Sequence, residues 1–168
     1  MPSANRWRRW ALTLKIRRPG RRYIRVADSN GLIEQLGGAR HLPVAALAWL
    51  GDAYWEFYVR DRLLRTVAAS AHRLSYRATG YVSAVAQAAA LRVIEDTLTP
   101  EEQAVARRGR NHRPSSLPRN VNPVDYAQAT ALEVLLGYLH VDGRQERLAE
   151  LSDLLFRICE QQIEDKDI

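Results

Sequence analysis

Residues 44–59 read VAALAWLGDAYWEFYV, sixteen positions whose only formal charges are Asp52 and Glu56. The helical pattern continues to about Thr66. A helix that is apolar on every side is normally a buried one, so this stretch predicts a central helix in a packed core. An ionised carboxylate in such surroundings is costly unless a cation or several hydrogen-bond donors compensate it. Asp52 is therefore the first candidate functional residue.

A second apolar helix is predicted close to the C-terminal end of the chain. Residues 126–141 read YAQATALEVLLGYLHV, in which Glu133 is the only formal charge, and no Lys or Arg lies within ten positions of it. If the two helices pack together, Asp52 and Glu133 converge and offer oxygen ligands to a hard divalent cation. A cation held there would activate a water and neutralise charge on a phosphodiester.

The two acids also have a purely structural interpretation. Asp52 or Glu133 would then pair with an arginine from another element, such as Arg73 or Arg77. Glu56, one turn after Asp52, is expected either to orient a ligand or to form a salt bridge with Arg60, rather than to join the metal cluster.

The rest of the chain is also predicted to be helical, so the fold class is all-α. Residues 28–43 read as a loop or short helix, and YIRV at 23–26 is too short to count as a strand. Thr99-Pro100 is a helix start, because it combines a hydroxyl cap with proline at the first helical position. The predicted helices, besides 44–66, cover 70–78, 80–97, 100–108, 124–141 and 144–163.

Basic residues are concentrated in an N-terminal arm. Residues 1–27 hold nine Lys/Arg and no acid. Residues 28–168 hold the other sixteen Lys/Arg and all 19 acids, which gives this part a net charge of −3. Such a distribution favours a polyanionic partner. The arm is interpreted as an RNA-binding extension, with an organelle targeting peptide and an inert extension as alternatives. We predict a basic arm and linker over 1–40 and a folded domain over 41–164.

A second basic region precedes the Glu133 helix. No acid occurs between Glu102 and Asp125, and three prolines stiffen the loop over 110–124. This basic region is interpreted as a phosphate-binding loop, and the alternative interpretation is a solvated charged surface. His112 has no partner at metal-ligand spacing and is treated as an ordinary loop residue. The candidate phosphate contacts are Arg107, Arg108, Arg110, Asn111, Arg113 and Arg119.

Two further observations exclude classes of protein. The single cysteine, Cys159, excludes a disulfide framework and a zinc cluster within one chain, and is expected to be a small buried residue near a helix end. No apolar run approaches the ~18 residues of a membrane span.

Five sequence blocks occur in a recognisable order. They are ALAWLGDAYWEFYVRDRLL, VSAVAQAAAL, LTPEEQAVARRGRN, LPRN and ATALEVLLGYLHVDGRQERLAEL. The first block looks like the first signature of the ribonuclease III superfamily, and the order and spacing of all five resemble Mini-ribonuclease III, a branch of that superfamily. The resemblance spans residues 43–156, and it implies that the domain over 41–164 is a ribonuclease III-like catalytic domain. It implies a homodimeric, all-helical endonuclease that cuts double-stranded RNA with Mg²⁺ (or Mn²⁺) and leaves 5′-phosphate ends. Asp52 and Glu133 fall on the signature acids, and residues 107–119 on the loop that approaches RNA.

The chain departs from full-length ribonuclease III at two positions. Those enzymes carry acids where this chain has Ala48 and Thr130, a reduction that Mini-III proteins share and that leaves the number of metal ions open. A separate double-stranded RNA-binding domain is also absent from the pattern. The resemblance suggests maturation of large-subunit ribosomal RNA in a bacterial cytoplasm, with a plastid stroma as the less favoured location.

Two other functions are compatible with the same residues. One is a catalytically inactive RNA-binding or ribosome-associated protein of the same fold. The other is a helical module that docks on a protein through its aromatic side chains, which are more simply interpreted as core and dimer interface. Those aromatic residues are Trp49, Tyr54, Trp55 and Tyr58.

Overall fold

The computed structural model describes residues 31–113 and 122–165, apart from the side chain of Leu32. Throughout these ranges the chain is helical or connects helices, and they contain no strand, so the all-α prediction is confirmed. The arm over 1–27 and Arg119 lie outside the described residues. The helices are α1 (Gly31–Gln35), α2 (Val44–Thr66), α3 (Ala71–Val82), α4 (Ala84–Ile94), α5 (Pro100–Arg110), α6 (Pro123–Val141) and α7 (Gln145–Glu164), with 3₁₀ turns at Ala39–His41 and Glu95–Thr97.

Local capping explains where several helices begin. Thr99 and Glu102 form a capping box at the start of α5, as the Thr99-Pro100 pair predicted. Ser83 caps α4 by accepting a hydrogen bond from the backbone of Ala86. Because of this cap, the break between α3 and α4 falls at Ser83, several residues later than the predicted break near residue 79.

Helix α6 is the centre of the fold. It packs against α2, α4, α5 and α7, and its residues from Ala129 to Leu139 are buried with the exception of Glu133, which is partly buried. Burial on nearly every side explains why this helix reads as a continuous apolar run.

Helix α2 is buried on one face only. Its buried residues recur every four positions, and they are Leu47, Gly51, Trp55, Val59 and Leu63. The opposite face carries Trp49, Phe57 and Leu64, whose exposed fractions are 77%, 70% and 70%. The prediction that α2 is buried all round is therefore wrong for the described chain, and Asp52 is exposed. The reason is that its apolar residues occupy two faces, of which one has no partner within the described chain.

The other aromatic residues of α2 belong to the core, as their simpler interpretation predicted. The Trp55 indole is fully buried and donates a hydrogen bond to the backbone oxygen of Tyr81 at 3.0 Å. Tyr54 and Tyr58 are partly buried and bond to Ser152 and Asp153 of α7.

The structure also bears on the predictions made for Cys159 and for membrane spans. Cys159 is fully buried near the end of α7, as expected, and burial raises the pKa of its thiol to about 12. Within the part of the chain that the structure describes, no helix combines the length and apolar character needed to cross a membrane.

Candidate active site

Two glycines allow α2 and α6 to cross with their backbones in contact. A Cβ atom on Gly51 would lie 1.8 Å from the backbone oxygen of Glu133, and one on Gly137 would lie 2.1 Å from that of Leu47. No side chain fits at either position, so glycine sets the distance between the helices. Both positions interrupt apolar helical patterns, where glycine costs about 1 kcal/mol relative to alanine. A glycine inside an apolar helical pattern is therefore a sequence signal for a close contact between two helices, and the sequence analysis did not interpret it in that way.

The crossing brings the two predicted acids together. Asp52 follows Gly51, and Glu133 lies one turn before Gly137, and both side chains line one pocket of about 410 Å³. The convergence that the sequence predicted is therefore present. The other residues lining this pocket are Ala45, Ala48, Trp49, His112, Tyr126 and Thr130.

Burial and neighbouring acids disfavour the ionised form of both carboxyl groups. Burial, and secondarily the charge of Asp52, raise the pKa of Glu133 from 4.5 to about 8. Burial and the nearby Glu56 raise the pKa of Asp52 above its ordinary value. Among the described residues, neither carboxylate forms a salt bridge or accepts a side-chain hydrogen bond. The described part of the protein thus provides nothing to compensate the negative charge that these two groups carry when ionised.

Among the described arginines, none neutralises these acids, including the two that the alternative interpretation named. Arg77 lies 3.8 Å from Glu160 of α7 instead, and Arg73 lines a different cavity at the ends of α3 and α7. Glu56 forms a salt bridge with Arg60 at 2.6 Å, which is one of the two roles predicted for it.

The chemistry of the pocket fits a hard divalent cation. Asp52 and Glu133 supply carboxylate oxygens and Thr130 a hydroxyl, the ligand atoms that Mg²⁺ prefers. Within residues 31–113 and 122–165, no group of three or more His, Cys, Asp or Glu is placed to hold one metal ion. Ala48 and Thr130, the positions where the resemblance predicted missing acids, line this same pocket. Water and substrate oxygens would therefore have to complete the coordination shell.

The predicted arginine contacts fall into two groups. Arg108 donates to the backbone oxygens of Arg40 and Leu42, the second at 2.6 Å. Arg110 donates to Glu95 at 2.6 Å and to Gln128 at 3.0 Å. These two side chains hold elements of the fold together. Three others of the predicted set are exposed, namely Arg107, Asn111 and Arg113.

His112 is a polar residue of the pocket that sequence analysis treated as an ordinary loop residue. It follows the last turn of α5 and lines the pocket together with Asp52 and Glu133. Spacing along the chain gave no indication of this, because the position of His112 depends on how α5 packs against α6.

Comparisons with known proteins agree with the resemblance. The family model for the ribonuclease III domain matches residues 45–144. A Mini-ribonuclease 3 from Symbiobacterium thermophilum is 44% identical over 110 residues, which cover 66% of this chain and 85% of that protein. A Mini-ribonuclease 3 from Brevibacillus brevis is 42% identical over 114 residues, with 68% and 85% covered. A crystal structure of a Fusobacterium nucleatum protein matches with a TM-score of 0.60 and 26% identity, over 66% of this chain and 88% of that one.

Proposed function

The chain belongs to the ribonuclease III domain family and is an RNA endonuclease, and on this premise we propose that it hydrolyses double-stranded RNA using Mg²⁺ (or Mn²⁺) bound by Asp52 and Glu133. The observation that carries the proposal is the uncompensated pair of carboxyl groups in one pocket. Removing charge from water without a partner is unfavourable, so a protein with no use for these acids would be more stable without them.

The residues of the pocket have distinct roles in this proposal. When bound, the cation supplies an activated water and neutralises charge on the phosphate. Asp52 and Glu133 hold it, and the glycine crossing keeps the two carboxylates on rigid helices rather than on loops. Trp49 and Tyr126 form walls of the pocket and restrict how a phosphodiester enters it.

Binding of the RNA duplex is proposed to depend on the basic region after α5. Arg107, Asn111, Arg113 and Arg119 would contact backbone phosphates, and Arg108 and Arg110 would add positive charge while keeping their bonds within the fold. The arm over 1–27 would strengthen binding without sequence specificity. Deleting it should lower duplex affinity and flatten its salt dependence. Unchanged affinity across a salt series would contradict this role.

We propose that two copies of the chain associate through the exposed face of α2. Trp49, Phe57 and Leu64 form an apolar stripe along that face, and stripes of this kind mark protein interfaces. Phe57→Glu should convert the dimer to a monomer in sedimentation measurements. Tyr76→Glu, at a residue of α3 that is 78% exposed, is the control and should leave the dimer intact. A monomeric wild-type protein would contradict the proposal.

A ribosomal RNA precursor of the large subunit, in a bacterial cytoplasm, is the proposed substrate. The support is the resemblance to Mini-ribonuclease 3 proteins. Cleavage of total precursor RNA, followed by mapping of the 5′-phosphate ends, tests this choice. Ends scattered over unrelated duplexes would argue against it.

The central experiment compares cleavage of a duplex RNA with and without Mg²⁺. The wild type should yield products only with the cation, and Asp52→Asn should yield none. Asp61→Asn is the matched control, because Asp61 lies on the same helix and pairs with Arg65 far from the pocket. Duplex binding by the wild type without any Mg²⁺-dependent product would instead favour the inactive RNA-binding protein.

A further inference from the structure

We propose that His112 is an additional catalytic residue, whose imidazole N–H donates a hydrogen bond to the phosphate that is cleaved. The inference rests on the proposed function, because it concerns the same pocket and the same RNA substrate. Three observations support it. His112 lines the pocket, its backbone is fixed against α6, and no other side chain of the pocket is able to carry a positive charge.

The backbone of His112 is held in place beside the acids. Gly109, in the last turn of α5, lies so close to α6 that a Cβ atom there would be 2.8 Å from the Cα of Ala131 and 3.1 Å from the oxygen of Thr130. The amide of Asn111 donates to the oxygen of Arg107 and that of His112 to the oxygen of Gly109, both at 3.0 Å. The end of α5 is therefore fixed against the part of α6 that carries Glu133.

Among the four histidines of the chain, only His112 lines this pocket. His41, His72 and His140 are exposed and lie on other elements, and the ring of His140 is 6.0 Å from that of Tyr54. The partly buried imidazole of His112 makes no hydrogen bond or salt bridge within the described chain. It therefore remains available to a substrate.

Apart from His112, the pocket offers no cationic side chain that could donate a hydrogen bond to a phosphate. Of the eight side chains that line it, two are carboxyl groups and only His112 is able to carry a positive charge. Because the described residues contain no group of three His, Cys, Asp or Glu placed to share one metal ion, we assign the imidazole to the substrate rather than to the metal. An imidazole presents an N–H group in its neutral form as well as in its cationic form. A phosphate between the acids and His112 would meet the metal on one side and this donor on the other.

The first test separates rate from affinity. His112→Ala and His112→Phe should lower the single-turnover cleavage rate by about 100- to 1000-fold, the range for loss of one donor to a transition state. Duplex affinity without Mg²⁺ should change by less than about threefold, since a single phosphate contact is one of many. His112→Asn keeps an N–H donor on a short side chain and should recover part of the rate. His72→Ala, at an exposed histidine in the first turn of α3, is the control and should leave the rate unchanged.

The second test uses the wild-type sequence, so it remains decisive if a variant fails to fold. Long-range ¹⁵N NMR, with the imidazole resonances assigned through the backbone of the wild-type protein, should show a change in the chemical shifts of the His112 ring nitrogens when a duplex is added without Mg²⁺. The ¹⁵N chemical shifts of the His41 and His72 rings should not change. Unchanged ¹⁵N chemical shifts of the His112 ring would overturn the inference.

The outcomes distinguish this inference from the function on which it rests. Wild-type cleavage that requires Mg²⁺, with an equal rate in His112→Ala, would overturn the role of His112 and leave the nuclease intact. A fall in affinity with an unchanged rate would also overturn it, because His112 would then only bind RNA. A wild type that never cleaves a duplex would overturn the proposed function and the inference together.

Discussion

Replacing Glu133 with glutamine should stabilise the protein while abolishing cleavage. Burial and Asp52 raise the pKa of this carboxyl from 4.5 to about 8. A shift of about 3.5 units corresponds to about 5 kcal/mol at 1.36 kcal/mol per unit. The pocket is open to solvent, which screens the charges, so we expect about 2 to 3 kcal/mol. Glutamine has nearly the same shape and no charge, and thus removes this cost.

The sign of the effect follows from proton binding. Between pH 4.5 and about 8 the folded protein holds a proton on Glu133 that the unfolded chain has released. Unfolding therefore becomes more favourable as pH rises through that window. The free energy of unfolding of Glu133→Gln minus that of the wild type should be near zero below pH 4.5, grow up to pH 8, and stay constant above it.

Urea unfolding at a series of pH values, without divalent cations, measures this difference. Glu102→Gln is the matched control with the opposite sign. Burial alone would raise the pKa of Glu102, but hydrogen bonds from Arg147 and Thr99 bring it below its ordinary value. Glu102→Gln should therefore destabilise the protein at neutral pH. If Glu133→Gln were destabilising at pH 8 by a similar amount, the claim that Glu133 is an uncompensated charge would be refuted.

Three further predictions concern the same pocket and the core around it. Mg²⁺ should raise the unfolding temperature of the wild type at pH 8 but not that of Glu133→Gln, because only the ionised pair of carboxylates binds the cation. Equal increases in the unfolding temperature of the two proteins in a thermal melt would contradict this. Gly137→Ala should reduce cleavage by about 100-fold, since the new Cβ must push α2 and α6 apart and misplace the acids. Gly80→Ala, whose Cβ would meet only the end of the Ile163 side chain, should keep normal activity, and equal losses in the two variants would argue against a positioning role. Cys159 should react with a thiol reagent only after unfolding, because it is fully buried; rapid reaction of the native protein would contradict its placement in the core.

Local signals in the sequence determined most of the helices. The Thr99-Pro100 pair predicted the start of α5, and the apolar runs located α2 and α6. These features act within one or two turns of a helix, through capping and side-chain periodicity, and so they can be interpreted without knowing the fold. The same local argument identified Asp52 and Glu133, because an acid in an apolar segment stands out wherever that segment packs.

Tertiary packing decided what the apolar pattern left open. The pattern of α2 did not distinguish the face that meets α6 from the face that carries Phe57, so the exposure of Asp52 was predicted wrongly. The bonds that engage Arg108 and Arg110 also depend on partners far along the chain. Each of these outcomes depends on which surfaces meet, and no periodicity within one helix contains that information.

The sequence by itself determined that the chain is all-helical and that two of its acids need compensation. Only the tertiary structure decided that those acids share a pocket and that His112 joins them. The physical reason is that the backbone contacts at Gly51, Gly137 and Gly109 set the distances between helices. These contacts exist only once segments distant in sequence have packed together.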